Sequence, residues 1–201
     1  MILDNEFVWL IGIPILFVVL FVLRKRGYGL FHLLFVSVFW VYILLVLKVT
    51  IFPIPIARGI SDESEMFPLI LPLINFTPFY FGRFLTLDKI FFLLVQNIIL
   101  TIPFGFGINF IVRTSLKKPI WLAIVFGFGL ELLQFLVALL SSFFSIGTGH
   151  IIDINDAILN VVGVLLGYGL FKMFASWYSK NNHNVKNKGL FAYIHEITSI
   201  A

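Results

Sequence analysis

Cysteine is absent from the 201 residues, and charge is scarce: Asp, Glu, Lys and Arg together make up 12%. The first absence removes disulfides, thiolate metal sites and cysteine nucleophiles, and leaves no signal of redox compartment. The second excludes an ordinary soluble domain, which carries about twice that charged fraction. Internal repeats, Gly-rich phosphate loops, nucleophile motifs and His-rich metal spacings are missing too. What fills the chain is apolar: 60% hydrophobic residues and 25 phenylalanines, with a mean hydropathy of +1.06. This is the composition of an integral membrane protein forming one compact bundle. A pI near 9.4 points toward nucleic acid, but the placement of the basic residues reads as topology instead, and no nucleic-acid partner is expected.

The apolar runs predict five spans, each near the roughly 20 residues that cross a bilayer core. The first is Phe7 to Leu23, preceded by Asp4 and Glu6 and followed by Arg24-Lys25-Arg26. That charge order is the reverse of a signal peptide, so the helix is retained. The second is Leu30 to Phe52, with Lys48 snorkelling near its end and Pro53 and Pro55 stopping it. The third is Ile90 to Val112, where Ile102-Pro103-Phe-Gly105-Phe-Gly107 reads as a kink with close backbone approach. The fourth is Ile120 to Leu140, and the fifth runs from about Asn155 to Phe174. Between spans two and three, Met66 to Phe84 is apolar but broken by Pro68, Pro72 and Pro78. It reads as an outer-side re-entrant or interfacial loop, since irregular backbone at membrane depth must face protein or water. The apolar end, Leu190 to Ile200, lies on the membrane surface or is disordered. The aromatic stripes read as lipid-facing bulk.

Orientation follows from the loops. Arg24-Lys25-Arg26, then Arg113, Lys117 and Lys118, then Lys172 with Lys180, Lys186 and Lys188 all fall on one side. The other side carries only Arg58, Arg83 and Lys89, and no Lys or Arg separates spans four and five. A five-helix bundle with the N-terminus out and the C-terminus in satisfies every loop under the positive-inside rule.

The polar residues that remain are clustered. Asp153, Asp156, Asn160, Gly163 and Gly167 repeat at helical spacing and share one face. At about 1.5 Å per residue, Asn97, Gln134, Glu131 and Asn160 lie roughly 8–14 Å below the outer helix ends. Asp156 and Asp153 sit above them at the mouth. An outward-facing polar pocket results, lined by Asn97, Glu131, Gln134, Asp153, Asp156 and Asn160, floored by glycines and partly roofed by residues 66–84. An ionisable group in a membrane is a functional-site hypothesis by default. Glu131 is the sharpest case, with Asn97 and Gln134 as its candidate donors.

Plainer roles fit the same residues. Glu131, Asn97 and Gln134 can act as hydrogen-bonded glue between helices, and Asp153 and Asp156 as an N-cap and a first-turn carboxylate. Gly127 shares the face of Glu131 and Gln134, and Gly163 with Gly167 makes a packing face, within the chain or in a homodimer. His150 is a lone loop histidine, and His32 belongs to no constellation.

At these residues the sequence resembles the VanZ-like family of bacterial membrane proteins. The matching pieces are Ile74-Asn-Phe-Thr-Pro-Phe79, Gln96-Asn97 with Ile102-Pro-Phe-Gly105, Gly127 to Gln134, Asp153 to Gly163, and Gly167-Tyr168. The resemblance implies a multispanning cell-membrane protein, and its namesake is linked with resistance to the glycopeptide teicoplanin. It makes residues 30–174 a VanZ-like transmembrane domain, after a first helix with its basic cytoplasmic loop (1–29) and before a basic cytoplasmic tail (175–201). The family places an Arg shortly before the Asp-rich stretch, where this chain has His150. No cofactor or metal is expected. Two functions compete. One is a non-enzymatic envelope protein whose pocket binds a lipid-linked wall precursor or a glycopeptide. The other is an intramembrane hydrolase or transferase with Glu131 as acid/base and Asp153 and Asp156 as metal ligands or second carboxylate. A transporter fits less well, since five spans without a repeat depart from the usual inverted-repeat design.

Overall fold

The computed structural model describes residues 2–3, 6–51, 54–55, 74–80, 86–112, 118–143, 152–181 and 189–200. They form an all-helical bundle: α1 (Phe7–Lys25), α2 (Leu30–Thr50), α3 (Leu87–Gly107), α4 (Lys118–Phe143), α5 (Ile154–Asn181) and α6 (Leu190–Ile200). The first five of these are long and apolar enough to cross a membrane. Extended structure is confined to two-residue pairings: β1 (Ile2–Leu3) with β2 (Ile54–Pro55), antiparallel, and β3 (Ile74–Asn75) with β4 (Ile152–Asp153), parallel. Arg58, Arg113, Lys117, His150 and the acidic residues Asp62, Glu63 and Glu65 lie outside the described residues.

The turn between α1 and α2 follows from a glycine. Gly27 takes φ +86°, and its N–H and that of Tyr28 donate to Arg24 O and Leu23 O. This is the left-handed cap that ends helices where a side chain would be strained. The returning α2 lies along α1, with Leu44 filling the space beside Gly12 and Trp40 Nε1 donating to Gly12 O at 2.9 Å. Glu6 and Lys48 close the far end at 3.2 Å. Both are partly solvated, so the pair adds little.

The centre is α5, which packs along both α3 and α4. Its contact with α3 is backbone on backbone. A side chain at Gly105 would collide with Val164 O and Tyr168 N; one at Gly167 would meet Ile102 O and Phe106 N, and one at Gly163 the Thr101 hydroxyl and Ile98 O. The expected close approach is therefore made inside one chain. It also removes the Gly163/Gly167 face from any homodimer, because α3 occupies it. Helix α3 continues through Pro103 without interruption and tightens into a 3-10 turn only at Ile108–Phe110. There Asn109 Nδ2 donates to Gly105 O at 2.7 Å.

Two expectations need correction. The aromatic residues are not uniformly lipid-facing: Phe104, Phe110 and Phe171 are buried, and Phe110 stacks on Phe35 at 4.7 Å while meeting Phe171 edge-on at 5.4 Å. Lipid tails are as apolar as Phe, so composition alone does not separate a core ring from a lipid-facing one. Second, α5 runs past Phe174 to Asn181, and of the two alternatives for Leu190–Ile200 the disordered one falls away, since the segment is a helix. Ala175 and Tyr178 are buried, Tyr178 OH donates to Phe191 O, and Tyr193 OH donates to Phe110 O at 2.5 Å, which holds α6 on the bundle.

Tyr42 ties α2 to α3 by donating to Leu100 O at 2.8 Å. Tyr42→Phe keeps the ring and loses that bond. It should cost about 0.6–1 kcal/mol in detergent unfolding, the usual worth of an interhelical bond in a membrane protein. A loss above about 2 kcal/mol would show that the hydroxyl does more than join two helices.

Candidate functional site

The polar residues gather at the end of the bundle where α5 begins. Asp153 precedes the first residue of α5, and its Oδ1 accepts the Asn155 N–H at 2.8 Å, which makes it the helix N-cap. The same oxygen accepts from Asn155 Nδ2 at 2.8 Å and Asn75 Nδ2 at 2.9 Å. One carboxylate oxygen thus joins the start of α5 to a segment 78 residues earlier in the chain.

Asn75 and Asn155 together clamp residues 74–80. Asn75 Oδ1 accepts from Thr77 N, and the amides of Asn75 and Asn155 both donate to Tyr80 O, at 2.8 and 3.0 Å. Asn155 Oδ1 accepts the Phe79 N–H at 2.6 Å. Phe79 sits at φ +61°, a conformation a bulky residue adopts only when its surroundings impose it. The described part of the expected roof therefore docks on α5; residues 66–73 and 81–84 lie outside the described residues. Phe76 and Phe79 stay exposed beside this polar patch.

One helical turn deeper, Asn97 of α3 donates to Asp156 Oδ1 of α5 at 2.6 Å. Thr101, fully buried, returns its hydroxyl to Asn97 O at 2.9 Å. From the other side comes α4. A side chain at Gly127 would press on Val161 and on Ala157 O, so α4 lies close to α5 and Glu131, one turn along, faces the beginning of α5. Its carboxyl receives the Asp153 backbone N–H and lies within electrostatic reach of the Asp156 and Asp153 carboxyls. Glu131 is 8% exposed and Asn160 3% exposed, and among the described residues neither Glu131 Oε2 nor Asn160 Oδ1 has a hydrogen-bond partner. Buried polar atoms are nearly always paired, so two orphans in one region ask for an explanation.

The structure brings Asn97, Glu131, Asp153 and Asp156 together, with Asn160 one turn below Asp156 on α5. Gln134 departs from expectation. Its amide donates to Thr50 O at 2.9 Å, capping the end of α2, and Asn97 is committed to Asp156. Neither therefore serves as the donor to Glu131 that the depth argument assigned. Asn75, Asn155 and Thr101 were missed as parts of the network. Asn75 stands in a formal glycosylation triplet, and only the recurrence of Asn between the two aspartates marked Asn155. Among the described residues no three His, Cys, Asp or Glu side chains are arranged to hold a metal ion.

No curated protein and no solved structure matches the chain. A protein family does: the one described as VanZ/LLP1 matches residues 39–175, a range that begins within α2 and ends in α5 and so contains every side chain of the network. The chain belongs to the VanZ/LLP1 family.

Proposed function

We propose that this network is the binding site for the polar head of a cell-envelope ligand, a lipid-linked wall precursor or a glycopeptide antibiotic, in a bacterial cell membrane. On this reading the start of α5 faces outward, with the N-terminus out and the C-terminus in, because Arg24-Lys25-Arg26, Lys172 and Lys180 all map to the opposite end. The observation that carries it is the pair of buried acceptors without a partner among the described residues, Glu131 Oε2 and Asn160 Oδ1. Pairing of Asn97 with Asp156 joins α3 to α5, but it leaves these two acceptors unmatched. A ligand that donates to those oxygens would complete the network. The resemblance to the family's namesake supports a contribution of this site to teicoplanin resistance.

The test has two parts. Expression in a teicoplanin-sensitive Gram-positive host should raise resistance, and Glu131→Gln at equal membrane level should abolish the gain. In vitro, changing Asn97, Glu131 and Asp156 to Ala together should weaken glycopeptide or wall-precursor binding at least about tenfold, a loss of roughly 1.4 kcal/mol. Unchanged affinity in that triple variant would sink the assignment.

A second reading, an intramembrane hydrolase or transferase, draws on the closeness of Glu131 to Asp153 and Asp156, because two carboxyls in unlike surroundings can divide acid and base roles. Release of a cleaved headgroup from a lipid-linked substrate by purified protein, lost in Glu131→Gln, would favour it over simple binding.

A further inference from the structure

At the opposite end of the bundle lies a cavity of about 770 Å³, and we propose that it is a second site, which holds the headgroup of an anionic phospholipid from the cytoplasmic leaflet. It is bounded by the α1–α2 turn, the start of α2, the end of α3 and α6. From Asn97 to Asn109 is twelve residues along α3 and the 3-10 turn that extends it, about 18 Å, so it is separate from the network at the start of α5.

The cavity lies where a lipid headgroup would. The cavity wall includes Gly27, Tyr28 and Gly29, which lie between the last residue of α1 and the first of α2. Its rim is continuous with exposed apolar surface, since Phe21 and Leu30 on either side of that turn are both well exposed. A ligand entering there finds hydrocarbon on one side and water on the other, which is where a phospholipid headgroup resides.

Its lining is mixed in polarity. Tyr28, His32 and Asn109 present polar groups, whereas Phe31 and Ile197 present apolar ones. His32 is stacked on Tyr28 at 4.4 Å and lies 3.1 Å from the Tyr193 hydroxyl, so this wall is ordered. The mixture matches a headgroup with its glycerol and first methylenes.

The turn beside the cavity is basic. Arg24-Lys25-Arg26 directly precede the lining residue Gly27. Arg24 folds over the turn, its Nη1 3.5 Å from Tyr28 O. No Lys or Arg is among the described lining residues; the cations adjoin the cavity through the α1–α2 turn, and basic groups beside an interhelical cavity at the cytoplasmic boundary suit anionic headgroups. One carboxylate, the exposed Glu196, also lines the cavity. It repels a dianionic phosphate monoester more than a singly charged phosphodiester, which favours a membrane lipid over a free phosphate metabolite.

The experiment uses the full chain in a nonionic detergent and measures binding of three probes by native mass spectrometry and thermal shift. These are dioctanoyl phosphatidylglycerol, dioctanoyl phosphatidylcholine and glycerol 3-phosphate. Phosphatidylglycerol should bind at least about fivefold tighter than phosphatidylcholine, and Arg24→Gln should remove about fivefold of its affinity, the effect of one basic residue near a lipid surface. Gly29→Phe should abolish binding, with the melting temperature of the lipid-free protein as the check on folding; the backbone accepts a side chain there, since Gly29 is at φ −71° and a Cβ meets nothing within 4 Å. Glu131→Gln should bind phosphatidylglycerol normally. Equal affinity for both lipids, or unchanged affinity in both Arg24→Gln and Gly29→Phe, would overturn the proposal. Tight binding of glycerol 3-phosphate alone would overturn the lipid assignment.

Discussion

Gly105→Ala is expected to destabilise the protein by about 2–4 kcal/mol, and Gly129→Ala to leave stability unchanged or raise it by up to about 1 kcal/mol. Both glycines are helical, and both substitutions add one methyl group. The difference is what that methyl meets. At Gly105 it collides with the Val164 carbonyl and the Tyr168 N–H of α5, all backbone, which cannot rotate away; at Gly129 nothing lies within 4 Å. The contact can be relieved only by separating α3 from α5. That separation breaks the reciprocal approaches at Gly163 and Gly167 and pulls Asn97 from Asp156. In membranes, where burial provides no driving force between helices, close packing of small residues carries most of the association. Reversible unfolding in detergent gives both numbers. Equal effects at the two glycines would mean that the α3–α5 contact is not the stabilising seam.

The second large effect is expected at Asn155. Asn155→Ala leaves the Phe79 N–H without its acceptor and removes one donor each from Tyr80 O and Asp153 Oδ1. Leaving a polar group unpaired costs about 1–3 kcal/mol, and here the affected groups all lie in the clamp on residues 74–80. With that clamp open, the φ +61° strain at Phe79 is no longer imposed and the segment leaves the start of α5. Hydrogen exchange at the Phe79 amide should accelerate by about 10–100-fold, with α3 and α4 unaffected, since a 1.4 kcal/mol change is tenfold. Uniform acceleration along the helices would show instead that Asn155 supports the whole bundle.

Much of this architecture is legible in the amino-acid order, for identifiable reasons. The spans are long apolar runs cut by Pro, Gly and basic residues, so their number is plain and their ends fall within a few residues of α1–α4. The glycines of α3 and α5 announce close approach because no other residue permits it. Asp153, Asp156 and Asn160 fall on one helical stripe, which needs only periodicity to see. Partners are harder. Gln134 and Glu131 lie one turn apart on α4, yet one turns to the end of α2 and the other to the start of α5. Depth along a helix says nothing about which neighbour a side chain faces. The Asn75–Asp153 bond and the His32–Tyr193 contact join residues 78 and 161 positions apart, where no local pattern reaches. The split of the phenylalanines between core and lipid is illegible for a different reason: both surroundings reward the same side chain.

The α3–α5 seam also sets an order of events during synthesis. The glycine of α3 that receives the α5 backbone leaves the ribosome before α4, and its partner helix comes after. Until then Asn97 and Thr101 are in the bilayer without Asp156 or the α5 glycines beside them. The early helices can therefore insert, but the bundle closes only when the fifth span arrives. A chain halted within α4 would be a membrane-inserted intermediate with its polar notch open to lipid, a natural substrate for membrane quality control.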